Sequence, residues 1–131
     1  MQNKEVMCAE AAASARNRAH APYSNFSVGA ALLTRDDRVF AGCNVENISF
    51  GLTMCAERVA LGAAIAAGER DFCLLTLVAD SDEPIVPCGA CRQVLAEFSP
   101  ALRVISSNLK GQTAELRLDE LLPRARQGIL G

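Results

Sequence analysis

The sequence predicts an α/β fold, a mixed sheet of five strands covered by helices on both faces. Three observations carry this. Helical and strand-like segments follow one another in the order α-β-β-α-β-α-β-β-α. A hairpin comes first and helical crossovers join the later strands, which mixes antiparallel with parallel pairing. One run, Phe72 to Ala79, is apolar almost throughout, as a strand buried on both faces requires. With 131 residues the chain has the length of one domain around one core, and a single domain over residues 1–131 is expected.

The elements follow in order. From about Lys4 to Ala19, Val6, Met7, Ala11, Ala12 and Ala15 fall close to helical spacing, with Glu5, Glu10, Arg16 and Arg18 among them. His20-Ala21-Pro22 ends this helix, because Pro22 disfavours helix in the residue before it. Phe26 to Thr34 and Arg38 to Asn44 read as two strands joined at Asp36-Asp37. Val45 to Thr53 reads as a polar loop. Cys55 to Ala67 reads as a largely apolar helix with Gly68 as its C-terminal cap. After the central strand, Asp80 to Pro87 is a loop and Cys88 to Phe98 a second apolar helix, stopped at Ser99-Pro100. Leu102 to Ser106 and Thr113 to Leu118 complete the strands, and Asp119 to Leu122 forms a last helical turn.

Composition narrows the function classes. Lys and Arg number 13 against 15 Asp and Glu, interleaved along the chain, so the basic stripe of a nucleic-acid binder is missing. No apolar run approaches the roughly 20 residues that span a bilayer, and the first residues lack the pattern of a signal peptide. A cytoplasmic protein is expected. In that compartment six cysteines read as metal ligands, reactive thiols or small core residues in place of disulfides.

Three cysteines stand out. Cys55 opens Cys55-Ala56-Glu57-Arg58, and Cys88 and Cys91 form a Cys-x-x-Cys pair in Pro87-Cys88-Gly89-Ala90-Cys91. Thiolate suits zinc, and catalytic zinc takes three protein ligands with a fourth position open. Cys55 and Cys88 both stand at predicted helix starts, where the free N–H groups favour thiolate. Glu57 is the candidate general acid and base. Its spacing from Cys55 does not by itself aim the two side chains together, since residues two apart on a regular helix diverge. Three thiolates also leave a divalent ion with net negative charge. That erodes the lowering of a bound water's pKa from about 15.7 to about 7, worth ~12 kcal/mol. Arg58 is the candidate that offsets this charge. Cys8, Cys43 and Cys73 read as small core residues, and His20, beside a proline turn, as a packing or hydrogen-bonding residue.

The cysteine motifs, Cys55-Ala56-Glu57-Arg58 and Pro87-Cys88-Gly89-Ala90-Cys91-Arg92-Gln93, resemble those of the cytidine deaminases in their small homotetrameric form. The likeness extends to Ala21-Pro22-Tyr23-Ser24-Asn25-Phe26, Val28-Gly29-Ala30-Ala31-Leu32, Gly42-Cys43-Asn44-Val45-Glu46-Asn47 and Glu120-Leu121-Leu122-Pro123. It implies a three-layer α/β/α fold and hydrolytic deamination of cytidine and 2'-deoxycytidine. One Zn²⁺ per subunit would sit on Cys55, Cys88 and Cys91, with Glu57 carrying protons to the ring nitrogen and the departing amine. Asn44 and Glu46 would bind the ribose hydroxyls, Phe26 would pack on the pyrimidine face, and the backbone of Ala56 would meet the base. Ile48 and Phe50 match positions that reach a neighbouring subunit's site. One departure stands out: Arg126 falls where the family carries an aromatic that closes a neighbour's pocket. It either makes the pocket more polar, favouring a charged substrate such as a nucleotide, or points to solvent.

Other functions fit parts of the pattern. Deamination of another aminopyrimidine, such as a nucleoside antibiotic, would use the same zinc motifs, although Asn44-Val45-Glu46-Asn47 suits an ordinary ribose. Polynucleotide editing conflicts with the acidic balance. A structural zinc module for binding needs four protein ligands, and Cys43 or His20 would have to supply the fourth.

Overall fold

The computed structural model describes residues 2–127. The strands are β1 (Val28–Thr34), β2 (Val39–Cys43), β3 (Phe72–Ala79), β4 (Arg103–Asn108) and β5 (Thr113–Arg117). They form one sheet in the order β2-β1-β3-β4-β5. The helices among the described residues are α1 (Gln2–Arg16), α2 (Ala56–Ala66), α3 (Gly89–Ala96) and the single turn α4 (Leu118–Leu121). The expected element order and mixed sheet are both present. The predicted domain over 1–131 extends beyond the described residues at both ends.

Boundaries shift where local hydrogen bonds compete with the regular ladder. The first helix ends at Arg16, not Ala19, because the amides of Asn17, Arg18 and Ala19 bond back three residues in a tighter closing turn. β1 begins at Val28, not Phe26, because side chains take the Phe26 backbone: Ser24 Oγ accepts its N–H and Asn44 Nδ2 donates to its carbonyl. The loop after β2 contains one 3-10 turn, Phe50–Leu52. α2 ends at Ala66, one residue short of the expected Ala67, and Gly68 caps it as expected, its φ of 94° left-handed. The amides of Gly68 and Glu69 bond to the carbonyls of Ile65 and Ala64, closing a Schellman cap.

Pairing direction places the functional end of the sheet. β1 is antiparallel to both β2 and β3, so β2 and β3 run the same way. The end of β2, the start of β1 and the end of β3 therefore share one edge. β3 and β4 are parallel, and their crossover through α3 brings that helix back from the same edge. Loops at the carboxyl ends of such strands are where α/β sheets build sites.

The two faces are packed unequally. α2 and α3 cover one side, where Val28, Ala30, Leu32, Leu75 and Leu77 meet Ala56, Ala60, Leu61, Ala64 and Leu95. α1 covers the other, with Cys8 and Ala12 against Ala31, Leu33, Leu74 and Val78. On the β5 edge Thr113, Glu115 and Arg117 face solvent. Two glycines let helices sit hard on the sheet. A Cβ on Gly29 would lie 1.8 Å from the carbonyl oxygen of Ala12. One on Gly42 would lie 2.5 Å from Ala60 N and 2.6 Å from Ala56 O. The second contact fixes the N-terminal half of α2, and with it the residues beside Cys55.

Candidate metal centre and substrate cavity

The first turns of α2 and α3 meet at the shared sheet edge and bring three thiols together. The Sγ atoms of Cys55, Cys88 and Cys91 all lie within 4.8 Å of one another, and those of Cys55 and Cys88 are 3.9 Å apart. Four-coordinate zinc with Zn–S bonds of about 2.3 Å needs sulfurs roughly 3.8 Å apart, so the donor set and its spacing fit zinc. Neither Cys55 nor Cys88 is inside its helix, as their predicted place at the first helical position had it. Both are N-caps with extended backbone, φ −73°, ψ 153° and φ −65°, ψ 166°. That removes the difficulty of aim, because the helical rotation between Cys55 and Glu57 does not apply across the cap. Cys91, in the first turn of α3, completes the group from the buried side. Among the described residues neither Cys43 nor His20 joins it. His20 instead uses its backbone, bonding to Asn44 O and accepting from Glu46 N.

The three thiols divide charge unequally. A hydrogen bond from Cys91, and then one from Arg58, lower Cys55 to about 5. Cys91 is pushed far up by its bond to Cys55 and by burial. Metal binding therefore displaces protons from the group. Arg58 Nη2 lies 3.5 Å from Cys55 Sγ and 3.4 Å from Thr53 O, where its charge opposes that of the thiolates. Its Nε is buried without a partner. Glu57 is 4% exposed, and burial pushes its carboxyl up to about 7, a range in which a carboxyl takes up and releases protons near neutrality.

Beside this group opens a cavity of about 270 Å³. Cys55, Ala56, Glu57 and Cys88 form one wall, and Phe26, Asn44 and Glu46 line it as well. Asn44 follows directly on β2 with its amide partly committed: Oδ1 accepts from Val28 N at 2.9 Å and Nδ2 donates to Phe26 O at 2.8 Å, leaving one N–H free. Glu46 is an ionised acceptor, held below the usual carboxylate range by the Ser24 hydroxyl and then by the Tyr23 and Ser24 amides.

The family model described as the cytidine and deoxycytidylate deaminase zinc-binding region matches residues 1–107, which include all three cysteines and Glu57. The chain belongs to this deaminase family. A cytidine deaminase of Halalkalibacterium halodurans is 51% identical over 120 residues, 91% of each chain. The crystal structure of the Burkholderia pseudomallei cytidine deaminase superposes with a TM-score of 0.88 at 51% identity, covering 91% of this chain and 96% of that one. That of Mycobacterium tuberculosis gives 0.81 at 39%, covering 95% and 98%. The expected fold and zinc chemistry thus agree with the deaminase family to which the chain belongs.

Not every sequence-predicted residue enters the cavity. Ile48 and Phe50 lie outside it, 81% and 71% exposed, and Phe50 rests edge-on against Tyr23 with ring centroids 5.6 Å apart. Arg126 is exposed and lines no part of the cavity in its own subunit. Conversely, Ser24, Val28, Thr53, Ile85 and Val86 line the cavity without having been singled out as site residues. For Ile85 and Val86 the available signal was two apolar residues just before Pro87-Cys88 in a loop with no periodicity. Arg92 was also passed over. It ties the metal loop to α4, with Nε donating to Pro87 O at 2.7 Å and Nη1 to Leu121 O at 3.0 Å. Of the remaining cysteines, Cys8 is fully buried in the core, whereas Cys43 and Cys73 are half-buried.

Proposed function

We propose that the protein catalyses the hydrolytic deamination of cytidine and 2'-deoxycytidine to uridine and 2'-deoxyuridine, with release of ammonia, in pyrimidine salvage. The observation that carries this reading is the count of ligands beside the cavity. Among the described residues three thiols, not four, converge beside a cavity of about 270 Å³, next to a carboxyl that is 4% exposed. A structural site would be closed by a fourth protein ligand.

Zn²⁺ bound by Cys55, Cys88 and Cys91 would supply Lewis-acid activation of water at neutral pH. Glu57, at the same wall, would carry two protons in turn: one from the attacking water to the pyrimidine ring nitrogen as the C4–O bond forms, and one from the hydroxyl now on C4 to the amine, which leaves as ammonia as the C4–N bond breaks. Its burial excludes bulk water as a competing proton source. Ala56 offers its backbone to the base. Phe26 stacks on the pyrimidine face, and the free N–H of Asn44 and the carboxylate of Glu46 meet sugar hydroxyls as donor and acceptor. Arg58 balances the thiolate charge from outside the cavity.

A cytoplasmic homotetramer built from one catalytic domain over 1–131 is part of the proposal. Ile48, Phe50 and Leu52 stand 81%, 71% and 66% exposed on one loop beside the cavity, which suits a surface that a neighbouring subunit covers. No described helix is long and apolar enough to cross a membrane.

The test is an ultraviolet assay with cytidine on zinc-loaded wild type and Glu57→Gln. Turnover by wild type, reduced at least about 100-fold in the variant with zinc retained, is the expected result. Zinc binding without deamination by either protein would refute the reading.

A further inference from the structure

The groups assigned above to the sugar also hold the segment that carries the aromatic wall. Residues 21–26 make a tight turn, with Asn25 N–H donating to Ala21 O at 2.9 Å. Asn25 sits in the left-handed region at φ 58°, a conformation that asparagine tolerates but that local bonds must maintain. Glu46 receives three hydrogen bonds from this turn. The Tyr23 and Ser24 amides donate to Oε1 at 2.9 and 3.2 Å, and the Ser24 hydroxyl donates to Oε2 at 2.5 Å. Ser24 Oγ in turn accepts the N–H of Phe26 at 3.0 Å. Beyond Phe26 the chain is held by Asn44, which donates to its carbonyl.

We propose that Ser24 is a positioning residue for the nucleoside, linking Glu46 to Phe26 so that sugar acceptor and base-stacking ring are set as one unit. This rests on the reading of Glu46 and Phe26 as substrate contacts. The chemistry of the hydroxyl makes it suited to the task. Serine has one proton and two lone pairs. Here the proton goes to a carboxylate and one lone pair takes a backbone amide. Donation to an ionised acceptor is the stronger kind of hydrogen bond, and it polarises Oγ towards accepting from Phe26. Alanine would leave one carboxylate oxygen without its hydroxyl donor and release the Phe26 amide to water. The ring would then be fixed from its carbonyl side alone. Threonine keeps the hydroxyl, and residue 24 is exposed.

Steady-state kinetics on the zinc-loaded full chain with cytidine test this, using wild type, Ser24→Ala, Ser24→Thr, Glu46→Ala and the Ser24→Ala/Glu46→Ala pair. Zinc content and melting temperature are measured alongside. Ser24→Ala is expected to raise KM about tenfold, the scale of one hydrogen bond to a charged group, while kcat falls less than about threefold. Ser24→Thr restores KM to within about threefold. On the Glu46→Ala background the serine change adds less than about threefold, because the two groups act through one link. An unchanged KM in Ser24→Ala, including one accompanied by a lower melting temperature, overturns the proposal. So does a threonine variant as impaired as alanine, or a full tenfold effect added to Glu46→Ala. If wild type deaminates cytidine and Glu46→Ala raises KM while Ser24→Ala does not, only the positioning role falls. If wild type is inactive on cytidine, the substrate reading falls and takes this one with it.

Discussion

Gly42→Ala tests how the sheet sets the site. The new methyl would lie 2.5 Å from Ala60 N and 2.6 Å from Ala56 O, both backbone atoms of α2. Val59 Cβ would be 3.0 Å away. Ordinary contact begins near 3.4 Å, so the helix must retreat by roughly 0.9 Å, because backbone in a close-packed interior has no rotamer with which to yield. Overpacking of this kind costs about 1–3 kcal/mol. The same retreat displaces the first turn of α2, where Glu57 and the Cys55 cap sit, and a misplacement of about 1 Å at a reacting centre costs on the order of 100-fold. Urea unfolding would give the stability change, and kcat/KM with cytidine, normalised to folded zinc-bound protein, would give the second quantity. Both should fall. Unchanged stability would refute the close seating of α2 on Gly42. Loss of stability with kcat/KM within about threefold of wild type would refute the claim that this seating positions the chemistry.

Further predictions address separate parts of the molecule. Arg58→Ala should retain zinc by metal analysis but lose about 10- to 100-fold in kcat, the worth of a charge-assisted hydrogen bond of about 1.5–3 kcal/mol; unchanged kinetics would remove its charge-balancing role. Gly68→Ala, at the far end of α2 and at φ 94°, should cost about 1 kcal/mol in unfolding experiments while leaving the kinetics alone. Burial, with Cys73 and Glu5 nearby, pushes the Cys8 thiol up to about 11. Iodoacetamide at pH 8 should therefore leave Cys8 unmodified in the native protein and label it after denaturation, as read by peptide mass mapping.

How legible each part was in the sequence depended on which forces shaped it. β3 matches its expected range, Phe72–Ala79, because it is buried along nearly its whole length and hydrophobicity alone marks it. The ends of the other elements were harder. Phe26 is a good strand former, but two side chains take the backbone bonds that a strand would use. The metal ligands were visible as residue types at a spacing. Their geometry was not, since the extended backbone of Cys55 and Cys88 belongs to the caps and leaves no periodic trace. Ile85 and Val86 were hidden for a related reason: an irregular loop carries no pattern that says which way its side chains face. The double employment of Asn44, as backbone brace and cavity wall, follows only from the meeting of β1 and β2.

The placement of the ligands has a mechanical side. Cys55 and Cys88 are 33 residues apart in sequence and stand on caps, outside the helices that follow them. A metal ion joining them acts as a removable cross-link between the two loops that lead into α2 and α3, and closing such a loop lowers the entropy of the open chain. The two hydrophobic clusters of the sheet are built almost wholly from other residues. Chelation should therefore loosen those loops and leave the sheet standing. Amide hydrogen exchange would read this as faster exchange over residues 44–55 and 80–88, with β1 and β3 as protected as before.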